Sequence, residues 1–591
     1  MYHDVCSLQT MDSLEISDIE ISRKPSAKFD LDTVDFEAIN TWLYACKHHN
    51  HPRLDSLGPG LLENMQFFLV DVQEQCVIET SPTVHYAALS YVWGGVSQLS
   101  LTTANVDTLR IPGVLDTEQS NIPASIKDAM QVCLRTNTRY MWVDSLCIPQ
   151  NSPLKAQYIK NMHLVYSCAD FTIVAADGLD ASHGIAGVSR PRQNVHFEFS
   201  SEGLDLTTTI RSPVRQLDSS KWYSRAWTYQ EAAFSQRLLV FTNYMCYLLC
   251  PSMNQREDGK QDITKNGRSS NPCDVTSFLL RFSDWNSGPK DKMIEIAMLL
   301  TNYLGRQLSD QDDILNAFSG TMTAFYPVVG HFWYGIPVSY LAVGLSWMYA
   351  IDQDKKQTDS KAQVGRRKGF PSWSCTGWFH PDRSTLMFTL NKSKAYEQEA
   401  YVQLLRRTPR DERVEVLNSI ALVETQHHAY LSSKKHFSEL IRELENAIDA
   451  TQLLGLWTRS VRLRVNQTPL CCFNGLGSYE LCADDRARYN IHNSSQIHIE
   501  KRWRDTAGES VNFILLGAIE ADVRIEDHST VSLVAVTMIG PVAYRVGIAA
   551  VYLQASVPFR SQKLYRESEQ RLVPNPQSTF NKQATATAIT G

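Results

Sequence analysis

Three short stretches of the chain carry the side chains best suited to chemistry. Ser90-Tyr91-Val92-Trp93-Gly94-Gly95 sets a hydroxyl and an indole beside a glycine pair. Asp144-Ser145-Leu146-Cys147 offers a carboxylate and a thiol, and Trp227-Thr228-Tyr229-Gln230-Glu231 an indole and a carboxylate four positions apart. On a helix that spacing stacks two side chains on one face. A carboxylate there could grip the hydroxyl pair of a ribose while the aromatic wall keeps water out. Each stretch also has a plain structural reading. Gly94-Gly95 can be a tight turn and nothing more. Asp144 can cap a helix or pair with an arginine, Trp227 can be core, and Glu231 can pair with Arg225 or Arg237. Cys147 with His163 as base would make a nucleophile, although a cysteine inside an apolar Ser-Leu-Cys-Ile run is more often inert packing.

These side chains need a scaffold, and the pattern around them supplies one. YAALSYVWGG, from Tyr86, reads as a buried strand ending in a glycine turn. Ile122-Pro123 opens a helix that turns Ile126, Ala129, Met130, Cys133 and Leu134 to one face. YMWVDSLCI is a second short apolar strand closed by Pro149, and Leu154 to Ser167 a helix with Ile159, Met162, Val165 and Tyr166 apolar. FTIVAA (Phe171–Ala176) is a third strand, followed by a hairpin around Phe197–Ile210. Next come a helix bearing Trp227 and Glu231, a fourth strand at Leu238–Phe241, and one more strand in TNYMCYLLC. Uninterrupted apolar strands alternating with amphipathic helices predict an α/β fold with a parallel sheet covered on both faces. Ligands collect at the carboxyl ends of such strands, where all three stretches fall.

The 591 residues are 43% hydrophobic, 10% aromatic and 20% charged, a globular composition. At this length roughly three or four structural units are expected. Residues 1–80 form a partly helical lead-in (Val34 to Cys46), 81–250 the α/β domain, 251–565 an α+β region and 566–591 a polar, disordered tail. The α+β region has expected helices at Asp291–Gln307 and Phe437–Ile448, and strands at Val511–Leu516, Val531–Val536 and Ala543–Tyr552. A net charge of −6 excludes the strongly basic footprint of a nucleic-acid binder. No CxxC pair occurs among the thirteen cysteines, and Lys47-His48-His49-Asn50-His51 lacks a completing acid or thiol, so no metal site is expected. Ile314 to Ile351 carries no Asp, Glu, Lys or Arg, yet Pro327 and Pro337 punctuate it. Core helices joined by a turn account for it better than a membrane span. GxxxxGK[ST], GxSxG, HExxH and GxGxxG are all missing, which leaves phosphate-loop nucleotidases, serine hydrolases of that type, zincins and ordinary dinucleotide oxidoreductases unsupported.

Taken together, four ordered islands resemble the fungal heterokaryon-incompatibility (HET) domain family. Y-x-A-L-S-Y-x-W-G is met by Tyr86, Ala88, Leu89, Ser90, Tyr91, Trp93 and Gly94. W-[IV]-D-x-x-C-I-x-Q is met by Trp142, Val143, Asp144, Cys147, Ile148 and Gln150. A helix pattern falls on Gln157, Ile159, Met162, Val165, Tyr166 and Ala169, and W-x-x-R-x-W-T-x-Q-E on Trp222, Arg225, Trp227, Thr228, Gln230 and Glu231. The family has Asn after the Cys-Ile and an acid after the Gln, where this chain has Pro149 and Asn151-Ser152.

HET domains are similar to TIR domains, so the resemblance implies a flavodoxin-like parallel sheet and a role in nonself recognition and incompatibility cell death. It also implies NAD⁺ as a candidate substrate, with no resident cofactor, cleaved at the nicotinamide–ribose bond on oligomerisation. Glu231 would then hold the ribose hydroxyls and stabilise the cation, with Ser90, Trp93, Gly94, Asp144, Arg225 and Trp227 binding substrate. Self-association or another incompatibility protein is the expected partner, and the cytoplasm the expected location. The alternatives are a non-catalytic adaptor, or a degenerate homologue with a regulatory role.

Overall fold

A computed structural model describes residues 19–22, 32–48, 62, 65–118, 121–193, 198–201, 204–210, 216–217, 219–251, 253–257, 289–338, 341–349 and 365–379, and the backbone of strands between 386 and 589. The chain divides into two compact units: residues 1–286 with 316–324, and residues 287–315 with 325–591.

The first unit is built on an eight-stranded sheet flanked by helices. Helix α1 (Phe36–Lys47) starts where the Asp35 carboxylate accepts from the Ala38 amide at 2.9 Å. Strands β1 (Phe68–Asp71) and β2 (Cys76–Glu79) come next, then β3 (Tyr86–Ser90), whose five residues are all buried. Helix α2 (Ala124–Arg135) leads to β4 (Tyr140–Trp142), the short α3 (Asp144–Cys147) and α4 (Lys155–Cys168). The unit is completed by β5 (Phe171–Ala175), α5 (Lys221–Ser224), α6 (Ala226–Phe234), β6 (Leu238–Phe241), β7 (Cys246–Cys250) and β8 (Met253–Arg256). The strand order is β8-β7-β6-β5-β3-β4-β1-β2.

Only the middle of this sheet is parallel: β3 with β4, β3 with β5, and β5 with β6. β1 joins β4 antiparallel, β2 joins β1, and β7 and β8 continue antiparallel beyond β6. The expected parallel sheet is therefore corrected to a mixed one. For the hairpins the physical reason is connection length: crossover helices separate the four central strands, whereas short turns join β1 to β2 and β6 to β7 to β8, and a short turn can only make an antiparallel pair. β1 and β2 also carry the sheet back to Phe68, ahead of residue 81. In chain order the parallel core runs second, first, third, fourth, so the connections from β3 and β5 leave in opposite directions. The crevice outside the carboxyl ends of β3 and β5 is the switch point of the topology.

Burial follows the apolar runs. Leu89, Ile173 and Leu239 are fully buried in adjacent central strands, each worth about 2 kcal/mol of apolar transfer. In α2, Ile126, Ala129, Met130 and Cys133 face the core, whereas Leu134, in the last turn, is 37% exposed. YMWVDSLCI is not one strand: β4 stops at Trp142 and the chain turns into α3 at Asp144. The hairpin is present as Glu198–Ser201 against Leu204–Ile210.

In the second unit, helix Pro289–Leu304 falls on the expected Asp291–Gln307, and the expected late strands appear as Ser510–Ile519, His528–Ile539 and Val542–Gln554 in a ten-stranded sheet. Phe437–Ile448 lies outside the described residues. Within the stretch read as a polar tail, Thr585–Ile589 forms a strand against Leu454–Thr458. An aromatic cluster packs this unit: Trp333 and Trp373 have ring centroids 4.8 Å apart, and Trp347 Nε1 donates to the Trp373 carbonyl at 2.8 Å. The uncharged run from Ile314, of which 316–324 count with the first unit, is broken into a helix at Ser319–Val329, a hairpin of Phe332–Trp333 with Ile336–Pro337, and a short helix at Leu341–Gly344. Among the described residues no helix is long and apolar enough to cross a membrane.

Candidate functional site

Ser90 ends β3, and the register sets it opposite Val174 of β5, while Ala88 faces Trp142 of β4. Asp144, two residues past Trp142, therefore emerges at the same edge of the sheet. Glu231 reaches this edge from α6. That helix is buried almost all round, with Trp227 its partly exposed residue, the signature of a core helix rather than a surface one.

Ser90, Asp144 and Glu231 come together at this edge, but not on an open cleft: Ser90 and Glu231 are 1% and 7% exposed. Ser90 Oγ donates to Glu231 Oε2, and Trp222 Nε1 donates to Ser90 Oγ at 2.6 Å. Asp144 accepts from Trp93 Nε1 at 2.7 Å and from the Ser145 amide at 2.8 Å. Arg225 Nη1 donates to the Tyr91 carbonyl at 2.8 Å, which brings its charge over both acids. Tyr166, from α4, donates to the Leu89 carbonyl at 3.1 Å and stands beside Glu231. The indole whose N–H enters the Glu231 chain is thus Trp222, on α5, rather than Trp227 on the same helix. Nothing in the W-x-x-x-E spacing points to it; the signal available in the sequence is its place in the W-x-x-R-x-W pattern.

Burial dominates the electrostatics. Glu231 is 7% exposed, and its carboxyl is pushed up to about 7. The Ser90 hydroxyl opposes that rise, the Asp144 charge adds to it, and Arg225 and Tyr166 pull it down. Asp144 is pushed up to about 6, again by burial first, with Trp93 and then Arg225 working against it. Two carboxyls of this kind in one cluster can exchange a proton near neutral pH, and they titrate as a coupled set.

The plain readings sort differently. Gly94 has φ +66°, and a side chain there would run into Asp180 from the loop after β5. The two loops that flank the switch point meet at this glycine, where the Ala181 amide donates to the Trp93 carbonyl at 3.2 Å. Arg237 donates to the Asp170 carbonyl at 2.9 Å and to Cys46, not to Glu231. Cys147 is buried with its thiol pushed up to about 12. Its sulfur accepts from the Val143 amide, so it is packing rather than a nucleophile. His163 packs its ring on Phe234 at 5.3 Å, hydrogen-bonds the Lys160 carbonyl, and is lowered to about 4 by burial. It serves no base to Cys147.

Behind α6 lies residue segment 316–324, which belongs to this unit. The Gly320 amide donates to Gln230 Oε1 at 2.9 Å, and the Phe318 ring lies 5.9 Å from that of Tyr229. A Cβ on Gly320 would stand 2.5 Å from His163 Cβ, so only glycine allows this approach. Among the described residues, no group of three His, Cys, Asp or Glu is placed to hold a metal ion.

Residues 86–231 match the family model described as heterokaryon incompatibility protein (HET). The match opens on the first residue of β3 and closes on Glu231, and it ties this region to a role related to heterokaryon incompatibility. Neither a curated protein nor a solved structure matches the chain.

Proposed function

We propose that this protein is a cytoplasmic effector of nonself recognition whose HET region kills by cleaving NAD⁺ at the nicotinamide–ribose bond when copies assemble. The observation that carries the reading is the convergence of Ser90, Asp144 and Glu231 at the carboxyl edge of the parallel strands, beside the switch point. The strand order of the parallel core is also that of flavodoxin-type sheets, the architecture to which TIR domains belong.

In the reaction the bond from ribose C1′ to the nicotinamide nitrogen breaks and its electron pair leaves with neutral nicotinamide. The ionised Glu231 holds the ribose hydroxyls and offsets the charge of the oxocarbenium-like cation. Water then adds at C1′ and yields its proton to Glu231, whose value near 7 suits that exchange. Arg225 supplies positive charge for the pyrophosphate, Trp93 and the partly exposed Trp227 supply ring faces, and Gly94 lets the two flanking loops meet beside them. With Glu231 only 7% exposed, the resting site is closed, and assembly with another copy or another incompatibility protein is what opens and completes it.

A second reading has its own observation. Glu231 is buried and bonded to Ser90, as a structural carboxyl would be, which suits a non-catalytic adaptor that docks partners. Glu231→Gln separates the two. On forced expression, NAD⁺ loss and toxicity are expected to vanish together while self-association persists. Undiminished toxicity with NAD⁺ intact would hand the protein to the adaptor reading.

A further inference from the structure

We infer that Trp222 is a positioning residue that acts through Ser90 to hold Glu231 as an acceptor; the inference rests on reading Glu231 as the working carboxylate. An indole N–H donates and cannot accept. With Trp222 Nε1 2.6 Å away, Ser90 Oγ must accept from the indole, and its single proton goes to Glu231 Oε2. The indole can only donate and the ionised carboxylate can only accept, so the order indole, hydroxyl, carboxylate is fixed by its two ends. Trp222 is 0% and Ser90 1% exposed, so the direction is set by protein alone.

The consequence lies in which form of Glu231 is favoured. A hydroxyl that accepts a hydrogen bond becomes a stronger donor, and a donor aimed at a carboxylate favours its charged form. Cleavage through a cation needs that charged form, yet burial and the Asp144 charge both work against it. The titratable and polar groups facing Glu231 come from four places in the chain: Ser90 from β3, Asp144 from α3, Tyr166 from α4, and Arg225 ahead of α6. Arg225 favours the charge directly, through its own positive charge. Trp222 alone does so through a second side chain, from α5 and 132 positions along the chain from Ser90.

The test is the titration of Glu231 in the full-length chain, followed by carboxyl-¹³C glutamate NMR with Glu231→Gln assigning the signal. Trp222→Phe keeps a ring and removes the N–H. Its midpoint is expected to rise by about half a pH unit, and that rise is expected to disappear when Ser90 is already alanine. A midpoint that does not move, or that moves equally with and without Ser90, overturns the relay and leaves Trp222 as packing. Should Trp222→Phe not fold, Ser90→Ala carries the test: a larger rise supports the relay, and an unmoved midpoint ends it. NAD⁺ consumption by the assembled wild type is scored separately. A shifted titration without consumption sinks the enzymatic reading, and consumption with an unmoved titration sinks the relay alone.

Discussion

Replacing Glu231 by glutamine should change how the stability of the first unit responds to pH. In the fold this carboxyl titrates at about 7, against 4.5 for a free glutamate. Between those values the folded chain keeps a proton that the unfolded chain has released. The associated stability is therefore fully present below about pH 4.5 and is lost as pH rises toward 7. A displacement of about two and a half pH units corresponds to about 3 kcal/mol, at 1.36 kcal/mol per unit. Glutamine resembles the protonated acid, still accepts from Ser90, and cannot ionise. Glu231→Gln should thus match the wild type near pH 4.5 and exceed it by up to about 3 kcal/mol near pH 8. For a unit of this size that is a difference of roughly 6–12 °C in midpoint. Asp144, raised to about 6, stays in both proteins, so the difference between the curves is the quantity to read. Tryptophan-fluorescence melts of both full-length proteins across that pH range make the measurement. Parallel curves would refute the argument, because they would mean the folded state does not disfavour the charge on Glu231.

Two further substitutions test the frame around the site. Gly320→Ala would put its Cβ 2.5 Å from His163 Cβ and 2.9 Å from Gln230 Oε1. It should cost about 1–3 kcal/mol and speed proteolysis within 316–324, and an unchanged cleavage rate would show that the segment has room to spare. Glu257→Gln should cost about 3–5 kcal/mol in urea unfolding, because the Glu257 and Arg192 side chains are 2% and 1% exposed and form an ion pair at 2.9 Å. Glu257 also accepts from the Cys246 amide at 2.6 Å and the Asp35 amide at 3.2 Å. A loss under 1 kcal/mol would mean that the buried pair contributes little beyond a neutral hydrogen bond.

What the sequence made legible follows from how local each signal is. YAALS, FTIVA and LLVF are short apolar runs bounded by turns, and each is a central strand. The strand FLVD and the edge strand CVIE beyond it are not legible in the sequence, since their place depends on FLVD pairing with Tyr140 and Met141 some seventy positions on. YMWVDSLCI looks continuous because Asp144 interrupts it only once, yet that acid bonds the next amide, that of Ser145, and the chain turns helical there. Ser90 and Asp144 could be named as companions because one ends a strand and the other follows one at the same edge of the sheet, and Glu231 because its helix leads into the next parallel strand. Trp222 could not, because a donor's partner is chosen by tertiary packing and not by spacing. The same holds for Gln230, whose partner is a glycine 90 positions away.

The return of residues 316–324 to the first unit makes the protein indivisible by a single cut. A fragment ended anywhere between 287 and 315 would keep the whole eight-stranded sheet and strip the backing from Tyr229 and Gln230, next to the acid on which the chemistry is proposed to depend. Exchange of the downstream half between related genes would meet the same restriction. An incoming sequence would have to bring its own glycine-centred plug to fit the helix it inherits.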